Sequence, residues 1–541
     1  MTLRIDRRSF LVTGTLGTGA FLLPGFAYAQ SVAALTGFTH SVASGEPAAD
    51  SMLLWTRYVP ANGGPAKLRA EISETADFVR IAGGGEQVTG PWRDHTAKIV
   101  ATGLKPGTRY FYRFVAPDGT MSPVGRTKTL PVGPTRRFGI GIFSCSNMGF
   151  GWFNAYGHAA AREDLDLWVH LGDYYYEYKP GDYPTDEQAI AARVPQPLHE
   201  CLALADYRLR YASYRSDPDL QELHAAKPCI VQWDDHETAN DSWEGGAENH
   251  QADEGDWDMR KAAAIQAWRE WMPVSEAPWG SYAIGALATL FRTESRLLYR
   301  TRQPDIGAFF FEADPIKALT NFRDGAWQSP AATMLGTEQE AWLAQAMRAS
   351  VRAGQHWQVA GFGTIMGNLV APPATESWLA PDAGRKARMI AKAGVISGKL
   401  GLPLNYDSWG GYPAARARFL KAAQAAGANL LVICGDSHNA WAFDLGQDGK
   451  PAGVEFAGHS VTSPGYEDSL AADPRAIAAG LVAANPELKW CDTSRRGYMA
   501  LTLTPEKATN DWLFVDTIAT RTPRASVGYS ASVTRGRNVM A

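Results

Sequence analysis

The chain has 541 residues, of which 45% are hydrophobic and 20% are charged, and its formal net charge is -4. This length and composition predict a soluble globular protein, with enough apolar residues for two domains. Because the net charge is slightly negative, no basic field favours nucleic acid, and we expect no stable nucleic-acid complex.

Residues 1–29 have the pattern of an export signal. Arg7 and Arg8 precede a weakly apolar stretch at 12–26, and residues 27–29 form an A-x-A cleavage signature. The pattern resembles a twin-arginine (Tat) signal, which implies the Tat translocase as an export partner and a periplasmic or secreted protein. A Sec signal or a membrane anchor is the alternative, although the apolar run is short for a membrane span. We expect no transmembrane segment in the mature protein.

The cysteines argue against a disulfide scaffold, because their number is odd and their density is low. Cys229 and Cys434 lie in apolar segments and are predicted to be buried thiols. The five cysteines are Cys145, Cys201, Cys229, Cys434 and Cys491.

Residues 36–130 are predicted to be all-β. Segments such as 51–57 alternate apolar with polar residues, and turns rich in Gly and Pro separate them. The segment around Tyr110 resembles a strand of fibronectin type III domains, with Tyr110 as the tyrosine-corner residue. We therefore expect a small β-sandwich, and Pro131–Pro134 is the predicted linker.

From Arg137 onward, apolar strands alternate with helical stretches, which is typical of an α/β domain. Thr337 and Glu340 are predicted to form a capping box at the start of one helix. The predicted helices are 206–223, 259–271 and 337–353, and the predicted strands are 137–144, 356–361, 498–504 and 511–518.

The C-terminal residues 521–541 contain four arginines and no acidic residue. A solvated basic tail is the expected structure, and a lid over an anionic site is the alternative.

Four predicted apolar strands are each followed by residues of types that can bind metal ions. The strand at 137–144 is followed by Cys145, and the strand at 165–171 is followed by Asp173. Two further strands lead into the polar segments 234–237 and 435–438. Because open α/β sheets bind ligands at the carboxyl ends of their strands, we expect a metal site at one sheet edge.

The first two strand ends contain soft and neutral donors. Cys145 offers a thiolate, and Asn147 offers a neutral oxygen. Tyr176 follows Asp173 by three residues, so that one helical turn would point both side chains at the same place. Tyr174 and Tyr175 are predicted to pack at the sheet edge.

The third strand end concentrates ionisable groups, which cost desolvation and like-charge repulsion unless cations or hydrogen bonds compensate. A solvated acidic loop is the alternative. At the fourth strand end, Asp436 and His438 are alternate residues that can point two ligands the same way. The ionisable groups are Asp234, Asp235, His236 and Glu237, with Asn240 and Asp241 as further oxygen donors.

Three other polar features are assigned structural roles. His170 lies within an apolar strand and is predicted to be a hydrogen-bonded core histidine. Asn368 and the segment 459–465 are predicted to belong to turns rather than to contact a metal.

Four motifs occur in order behind the predicted β-sandwich: Cys-x-Asn, Gly-Asp-x-x-Tyr, Trp-Asp-Asp-His-Glu and Gly-Asp-x-His. In this order, the chain from about 37 to 520 resembles the PhoD family of alkaline phosphatases. The resemblance implies an α/β, metallophosphoesterase-like β-sandwich flanked by helices over 137–520, preceded by the fibronectin type III-like domain. It also implies phosphate release from monoesters, and often diesters, with Fe³⁺ and one or two Ca²⁺ ions as cofactors.

The resemblance also implies the ligands. Thiolate and phenolate suit a ferric ion, whereas carboxylates suit calcium, so that donor chemistry agrees with this assignment. The implied iron ligands are Cys145, Asp173, Tyr176 and His438. The implied calcium ligands are Asp173, Asp235 and Asp436.

The expected function is hydrolysis of small phosphate esters by an exported metal-dependent phosphatase and phosphodiesterase. A metal-bound hydroxide would attack phosphorus in line. His236, beside Asp235, would stabilise the transition state or protonate the leaving oxygen, with Glu237 as its orienting partner.

Two other functions fit part of the pattern. A non-haem iron oxidase or peroxidase would also use Cys, Tyr, Asp and His ligands, and a cell-surface binding protein could contain structural metals. The carboxylates of Asp235 and Asp436 favour hydrolysis, because they imply a second, hard cation.

Overall fold

The computed structural model describes residues 35–541, and the predicted export signal at 1–29 lies outside this range. In the described range, no helix is long and apolar enough to span a membrane. All five cysteines are free and buried, which confirms the prediction for Cys229 and Cys434.

Residues 35–541 form twenty strands, most of which belong to two large sheets. In chain order they are β1 (Gly37–Gly45), β2 (Ser51–Val59), β3 (Ala66–Ser73), β4 (Gly83–Thr89), β5 (Thr96–Thr102), β6 (Arg109–Val115), β7 (Gly125–Lys128), β8 (Phe138–Phe143), β9 (Leu167–His170), β10 (Cys229–Val231), β11 (Gly280–Ile284), β12 (Ala288–Arg292), β13 (Trp357–Phe362), β14 (Leu430–Cys434), β15 (Ala440–Gln447), β16 (Lys450–Ala457), β17 (Leu488–Asp492), β18 (Gly497–Leu503), β19 (Lys507–Val515) and β20 (Ala525–Thr534).

The same range contains nine α-helices, which cover the outer faces of the large sheets. They are α1 (Asn154–Ala160), α2 (Leu204–Arg215), α3 (Pro218–Ala226), α4 (Trp257–Trp271), α5 (Pro315–Asp324), α6 (Gly336–Arg352), α7 (Arg385–Lys399), α8 (Pro413–Ala426) and α9 (Pro474–Ala484).

The two large sheets pack face to face. One has nine strands in the order β20-β19-β18-β8-β9-β10-β1-β2-β5, and the other has seven in the order β11-β12-β13-β14-β16-β15-β17. Their shared core includes Ile140, Val359, Ile433 and Leu501. Because helices cover the outer faces, β8 and β14 are buried along their whole length, as continuous apolar runs require. This confirms the predicted α/β sandwich flanked by helices.

The N-terminal region is all-β, as predicted, but one of its two sheets is shared. Strands β1, β2 and β5 face a four-stranded sheet in the order β4-β3-β6-β7, with a core of their own. Gly45 of β1 pairs in parallel with Cys229 of β10, so that the nine-stranded sheet continues into this region. The pairing covers an edge of the large sheet that would otherwise be open.

Tyr110 makes the contact expected of a tyrosine corner. Its side chain is buried, and its hydroxyl oxygen accepts a hydrogen bond of 2.8 Å from the backbone N–H of Lys105. The hydroxyl thus fixes the chain where it enters β6.

The single helix predicted at 206–223 is wrong, because two helices occupy this stretch. Helix α2 ends at Arg215, and Pro218 begins α3. The carboxylate of Asp217 caps α3 by accepting hydrogen bonds from the backbone N–H groups of Asp219 and Leu220. Asp-Pro is a helix-start signal inside an otherwise helical pattern.

The predicted capping box of Thr337 and Glu340 is not formed. Instead, the hydroxyl of Thr333 accepts a hydrogen bond from Gly336 N and donates one to Glu340. Helix α6 begins at Gly336, which has a φ of 74°, one residue before the predicted start. The cap therefore comes from Thr333, three residues before the first residue of the helix.

The C-terminal segment is not a solvated tail, which corrects the expectation for 521–541. Strand β20 pairs antiparallel with β19 from Lys507↔Thr534 to Val515↔Ala525 and forms the edge of the nine-stranded sheet. In residues 525–534, small or apolar residues alternate with serine, glycine or threonine. This period of two suits an edge strand.

Candidate metal centre

The strand ends converge as the sequence pattern predicted. Strands β8, β9 and β10 are parallel neighbours, and their carboxyl ends lead to Cys145, Asp173 and Asp235. Strand β14 of the facing sheet leads to Asp436. Gly172 makes the close approach possible, because its φ is 116° and a Cβ there would clash with Asp234.

Several residues at these strand ends adopt left-handed backbone conformations. Such conformations cost non-glycine residues of order 1–3 kcal/mol each and cluster at functional sites. Here they turn the chain sharply after each strand and direct the side chains to one place. The φ values are 59° for Cys145, 53° for Asp173, 63° for Asp436 and 58° for His438.

One half of the centre, the thiol–phenol group, consists of Cys145, Asp173, Tyr176 and His438. Ligand atoms of Cys145, Asp173 and His438 lie within 4.8 Å of one another. The Tyr176 hydroxyl lies 3.2 Å from Asp173 Oδ2 and 2.9 Å from His438 Nε2. The structure thus brings together the four residues expected to bind iron.

His438 is oriented by its second ring nitrogen. Nδ1 lies 2.9 Å from the carbonyl oxygen of Pro464, which can only accept, so Nδ1 is the protonated nitrogen. Burial lowers the pKa of His438 to about 3, which keeps the ring neutral. Nε2 therefore directs a lone pair toward Asp173 and Tyr176, as a metal-binding histidine requires.

The segment 459–465 supports the thiol–phenol group from outside. Ser463 Oγ lies 2.8 Å from the Tyr176 hydroxyl and 3.1 Å from the carbonyl oxygen of Cys145. Asn147 does not offer its amide to the centre, which corrects the expectation. Its Oδ1 accepts a hydrogen bond from Gly149 N and caps a short 3₁₀ turn.

The other half of the centre, the carboxylate group, consists of Asp234, Asp235, Asp407 and Asp436 around Arg296. Arg296 is fully buried and donates to both oxygens of Asp234, at 2.6 and 2.9 Å. It also donates to Asp407 at 2.5 Å and to Asp436 at 3.1 Å. One guanidinium thus balances part of a concentrated negative charge.

Arg296 and Asp407 were not found by the sequence reasoning. Asp407 follows no strand, and Arg296 lies just after β12, a strand that the sequence analysis did not predict. Arg296 is 62 residues from Asp234 and 111 from Asp407. No local signal in the sequence indicates this contact.

The donor set fits metal ions. Asp173 Oδ1 and Asp235 Oδ1 are buried and accept no hydrogen bond. Burial raises the pKa of Asp173 well above its ordinary value, and it raises that of Asp436 to about 7. Buried carboxylates with free oxygens are costly unless cations bind them. Thiol, phenol and imidazole are donors for a transition-metal ion, whereas the carboxylates are donors for a cation such as calcium.

His236 lies where the two halves meet. One oxygen each of Asp173 and Asp235 and one nitrogen of His236 lie within 4.8 Å of one another. Its Nδ1 contacts Glu177 Oε2 at 2.8 Å. Burial alone would lower the pKa of His236, but Glu177, Asp235 and Asp173 raise it well above its usual value. These acidic neighbours therefore favour the protonated ring.

Glu237 is not the orienting partner of His236, which corrects the expectation. Glu177 has that role and is itself fixed by hydrogen bonds from Asn240 N and Asn249 Nδ2. Glu237 instead binds the backbone of two strand ends through the N–H groups of Asp173, Tyr174 and Asp234.

A cavity of about 240 Å³ opens onto the centre. Its polar wall includes Asp173, His236 and Asp241, and its apolar wall includes Leu369 and Leu404. Burial raises the pKa of Asp241 to about 7, and its backbone N–H donates to Asp235 Oδ2 at 2.6 Å. Asp241 therefore lines the cavity next to Asp235.

The structural roles predicted nearby are confirmed for four residues. His170 is buried, with Nε2 2.9 Å from the Tyr156 hydroxyl. Tyr174 contacts His224 at 2.8 Å, and Tyr175 donates to the carbonyl oxygen of Glu237. Asn368 is exposed and contacts Glu487 through its backbone N–H.

The fold and the centre define a metallophosphoesterase-like protein, and comparisons with known proteins agree. The model of the PhoD-like phosphatase family matches residues 139–512, and that of its N-terminal domain matches residues 25–131. The chain therefore belongs to the PhoD-like phosphatase family.

Individual relatives support the same conclusion. Alkaline phosphatase D of Bacillus subtilis (strain 168) is 33% identical over 99% of this chain and 89% of the relative. The solved structure of PhoD superposes with a TM-score of 0.75 at 27% identity, over 94% of this chain and 92% of that chain.

A more distant structure shares the fold alone. Purple acid phosphatase PPD1 from yellow lupin (Lupinus luteus) seeds gives a TM-score of 0.55 at 13% identity, over 92% of this chain and 75% of that chain. The family and the two relatives above identify a phosphoric ester hydrolase rather than an oxidase or a surface-binding protein.

Proposed function

We propose that this protein is an exported phosphatase that hydrolyses both phosphate monoesters and diesters at a centre of one Fe³⁺ and one or two Ca²⁺ ions. The observation that best supports this proposal is the position of Asp173. A carboxylate oxygen of Asp173 lies within 4.8 Å of ligand atoms of Cys145 and His438, and one lies within 4.8 Å of an oxygen of Asp235. A carboxylate so placed can bridge two cations of different chemistry.

In this proposal the thiol–phenol group binds the iron. Cys145 and Tyr176 supply anionic soft and phenolic donors, and His438 supplies a neutral nitrogen. Burial raises the pKa values of Cys145 and Tyr176 well above their ordinary values, so that only a bound cation would make both anionic.

Calcium would bind to oxygens of Asp173, Asp235 and Asp436, with Asp241 close by. When bound, the two kinds of cation would activate water and balance the charge that develops on phosphorus-bound oxygens. The charge of Arg296 adds to this balance, because it contacts Asp436 and lies 3.7 Å from Asp235.

His236 is the proposed general acid. Because Glu177 fixes Nδ1, the other ring nitrogen is available to give its proton to the oxygen of the leaving alcohol. Asp235 is the proposed second catalytic group, since it raises the pKa of His236 and so favours the protonated ring.

The test combines metal analysis with an ester panel. We expect iron and calcium in natively exported protein, and turnover of both p-nitrophenyl phosphate and bis(p-nitrophenyl) phosphate without oxygen consumption. A ferric phenolate predicts a visible absorption band that disappears in Tyr176→Phe. A colourless, iron-free and fully active enzyme would contradict the metal assignment.

Export is proposed to proceed through the twin-arginine pathway, supported by Arg7, Arg8 and the A-x-A signature at 27–29. Changing both arginines to lysine should leave the protein in the cytoplasm. Unchanged periplasmic delivery of that variant would contradict the export route but not the enzymatic activity.

A further inference from the structure

Helix α7 is strongly basic, and no ion pair within the described residues explains this charge. Its sequence contains five cations and no acidic residue, although the whole chain has a net charge of -4. Among the ion pairs of residues 35–541, none includes a cation of α7. The cations are Arg385, Lys386, Arg388, Lys392 and Lys399.

The helix is amphipathic, but its outer face is also partly apolar. Ala391 and Val395 are buried and attach the helix to the protein. On the opposite face, Met389 is 47% exposed and Ile390 is 62% exposed. Two adjacent large apolar side chains in solvent serve no packing purpose in the chain itself.

The cations surround this apolar pair. Arg385 and Lys392 lie four residues before and three residues after Met389, and Lys386 lies four residues before Ile390. Residues at these spacings are neighbours on a helix surface. The exposed face of α7 therefore has an apolar pair with positive charges beside it.

Helix α7 also packs against a segment that leads to the cavity at the metal centre. A Cβ at Gly398 would collide with the backbone of Ala371, which places the helix directly against the segment that follows Leu369. Leu369 lines the cavity, as does Leu404, five residues after the end of the helix.

A second exposed apolar group lies on the segment beside α7. Phe309 packs in the same small apolar cluster as Ile396 of α7. Phe311, two residues after Phe309, is 79% exposed. The apolar exposure is thus not confined to the helix.

We propose that α7 is a docking surface for an anionic lipid bilayer. Basic side chains beside exposed apolar side chains are the combination that interfacial helices use, with lipid charge attracting the cations and the interface accepting the apolar side chains. A soluble polyanion would match the cations alone. Because the rest of the protein is negative, the attraction is local to α7.

Vesicle sedimentation of the full protein tests this proposal. We expect binding to vesicles of phosphatidylcholine with phosphatidylglycerol, and little binding to phosphatidylcholine alone. Neutralising two cations in Lys386→Gln/Lys392→Gln should weaken binding about thirtyfold, from about 1 kcal/mol per cation near the surface. Met389→Ser/Ile390→Ser should also weaken it.

Matched controls lie on other helices. Arg348→Gln/Arg352→Gln on α6 removes the same charge, and Met259→Ser on α4 removes an exposed methionine. These controls should bind like the parent protein, and turnover of p-nitrophenyl phosphate should be equal in all variants. Equal binding to both vesicle types, no binding to either, or loss only in the charge variant would overturn the assignment to a lipid surface.

Discussion

The two halves of the centre hold their donors in different ways. In the thiol–phenol group, hydrogen bonds between neutral groups fix Tyr176 and His438, and burial keeps both uncharged. In the carboxylate group, charges are concentrated and Arg296 balances them. The first half is thus shaped by hydrogen bonds before any cation binds, whereas the second depends on positive charge for its geometry.

Asp173 belongs to the thiol–phenol group and also lies within 4.8 Å of Asp235 in the carboxylate group, so its substitution should have the largest effect. In Asp173→Asn, one oxygen and the negative charge are lost from the point where the halves meet. We expect kcat/KM for p-nitrophenyl phosphate to fall about 10⁴-fold, since metal-based charge stabilisation contributes several kcal/mol. Metal analysis should show that both iron and calcium are reduced.

The metal content of Tyr176→Phe should be compared with that of Asp173→Asn, because Tyr176→Phe removes a donor from the thiol–phenol group only. It should reduce iron and leave calcium unchanged. If Asp173→Asn lost only one kind of metal, the bridging position of Asp173 would be contradicted.

Arg296 tests the dependence of the carboxylate group on charge. Arg296→Met leaves Asp234 buried and unpaired, which should lower the free energy of unfolding by about 3–5 kcal/mol. Calcium should restore part of the loss, because it replaces positive charge among the same carboxylates. Urea unfolding with and without calcium measures both effects.

Arg300→Met is the matched control for Arg296. Arg300 is equally buried and also contacts Asp407, but its other contact is Tyr412 rather than Asp234 or Asp436. This variant should also be destabilised, but calcium should restore less of the loss. Equal restoration by calcium in both variants would contradict a specific role for Arg296.

The two halves also differ in how well the sequence predicted them. Cys145, Asp173 and His438 follow continuous apolar runs, so local pattern and sheet geometry suffice to bring them together. The side-chain hydrogen bonds of Arg296 span 62 to 140 residues and have no local period or motif.

The same reasoning explains the errors in the fold. The register of Gly45 with Cys229 is a contact between distant segments, and no local pattern determines it. Strand β20 was missed because its small residues give a weak apolar alternation. Glu177 was overlooked since Glu237, one residue from His236, was the nearer acid in sequence.

Glu177 affects catalysis through His236, at the junction of the halves. Glu177→Gln keeps the shape of the contact but removes the charge that favours the imidazolium. We expect kcat to fall about 10–100-fold, as for other groups that orient an active-site histidine. The loss should be larger for alkyl phosphates than for p-nitrophenyl phosphate, because alkoxides need protonation more. An equal loss for both esters would count against His236 as the acid.

We expect the smallest effect from His170, a buried histidine that supports the backbone near the thiol–phenol group. His170 Nδ1 accepts a hydrogen bond from Gly172 N, and Nε2 contacts Tyr156, so the buried ring is neutral. Burial lowers the pKa of His170 to about 3 and that of His459 to about 4. Below the unfolded value of about 6.5, the unfolded chain binds protons that the folded chain excludes, and stability therefore falls as pH falls.

Each such histidine contributes a slope of about 1.4 kcal/mol per pH unit between roughly pH 6 and the folded pKa. In His170→Gln, urea unfolding between pH 6 and pH 4.5 should show a slope that is shallower by about this amount, even though the variant is less stable at pH 7. An unchanged slope would mean that His170 is protonated in the folded protein, which the hydrogen bond from Gly172 to Nδ1 opposes. The interpretation that a neutral, hydrogen-bonded His170 supports the thiol–phenol group would then be wrong.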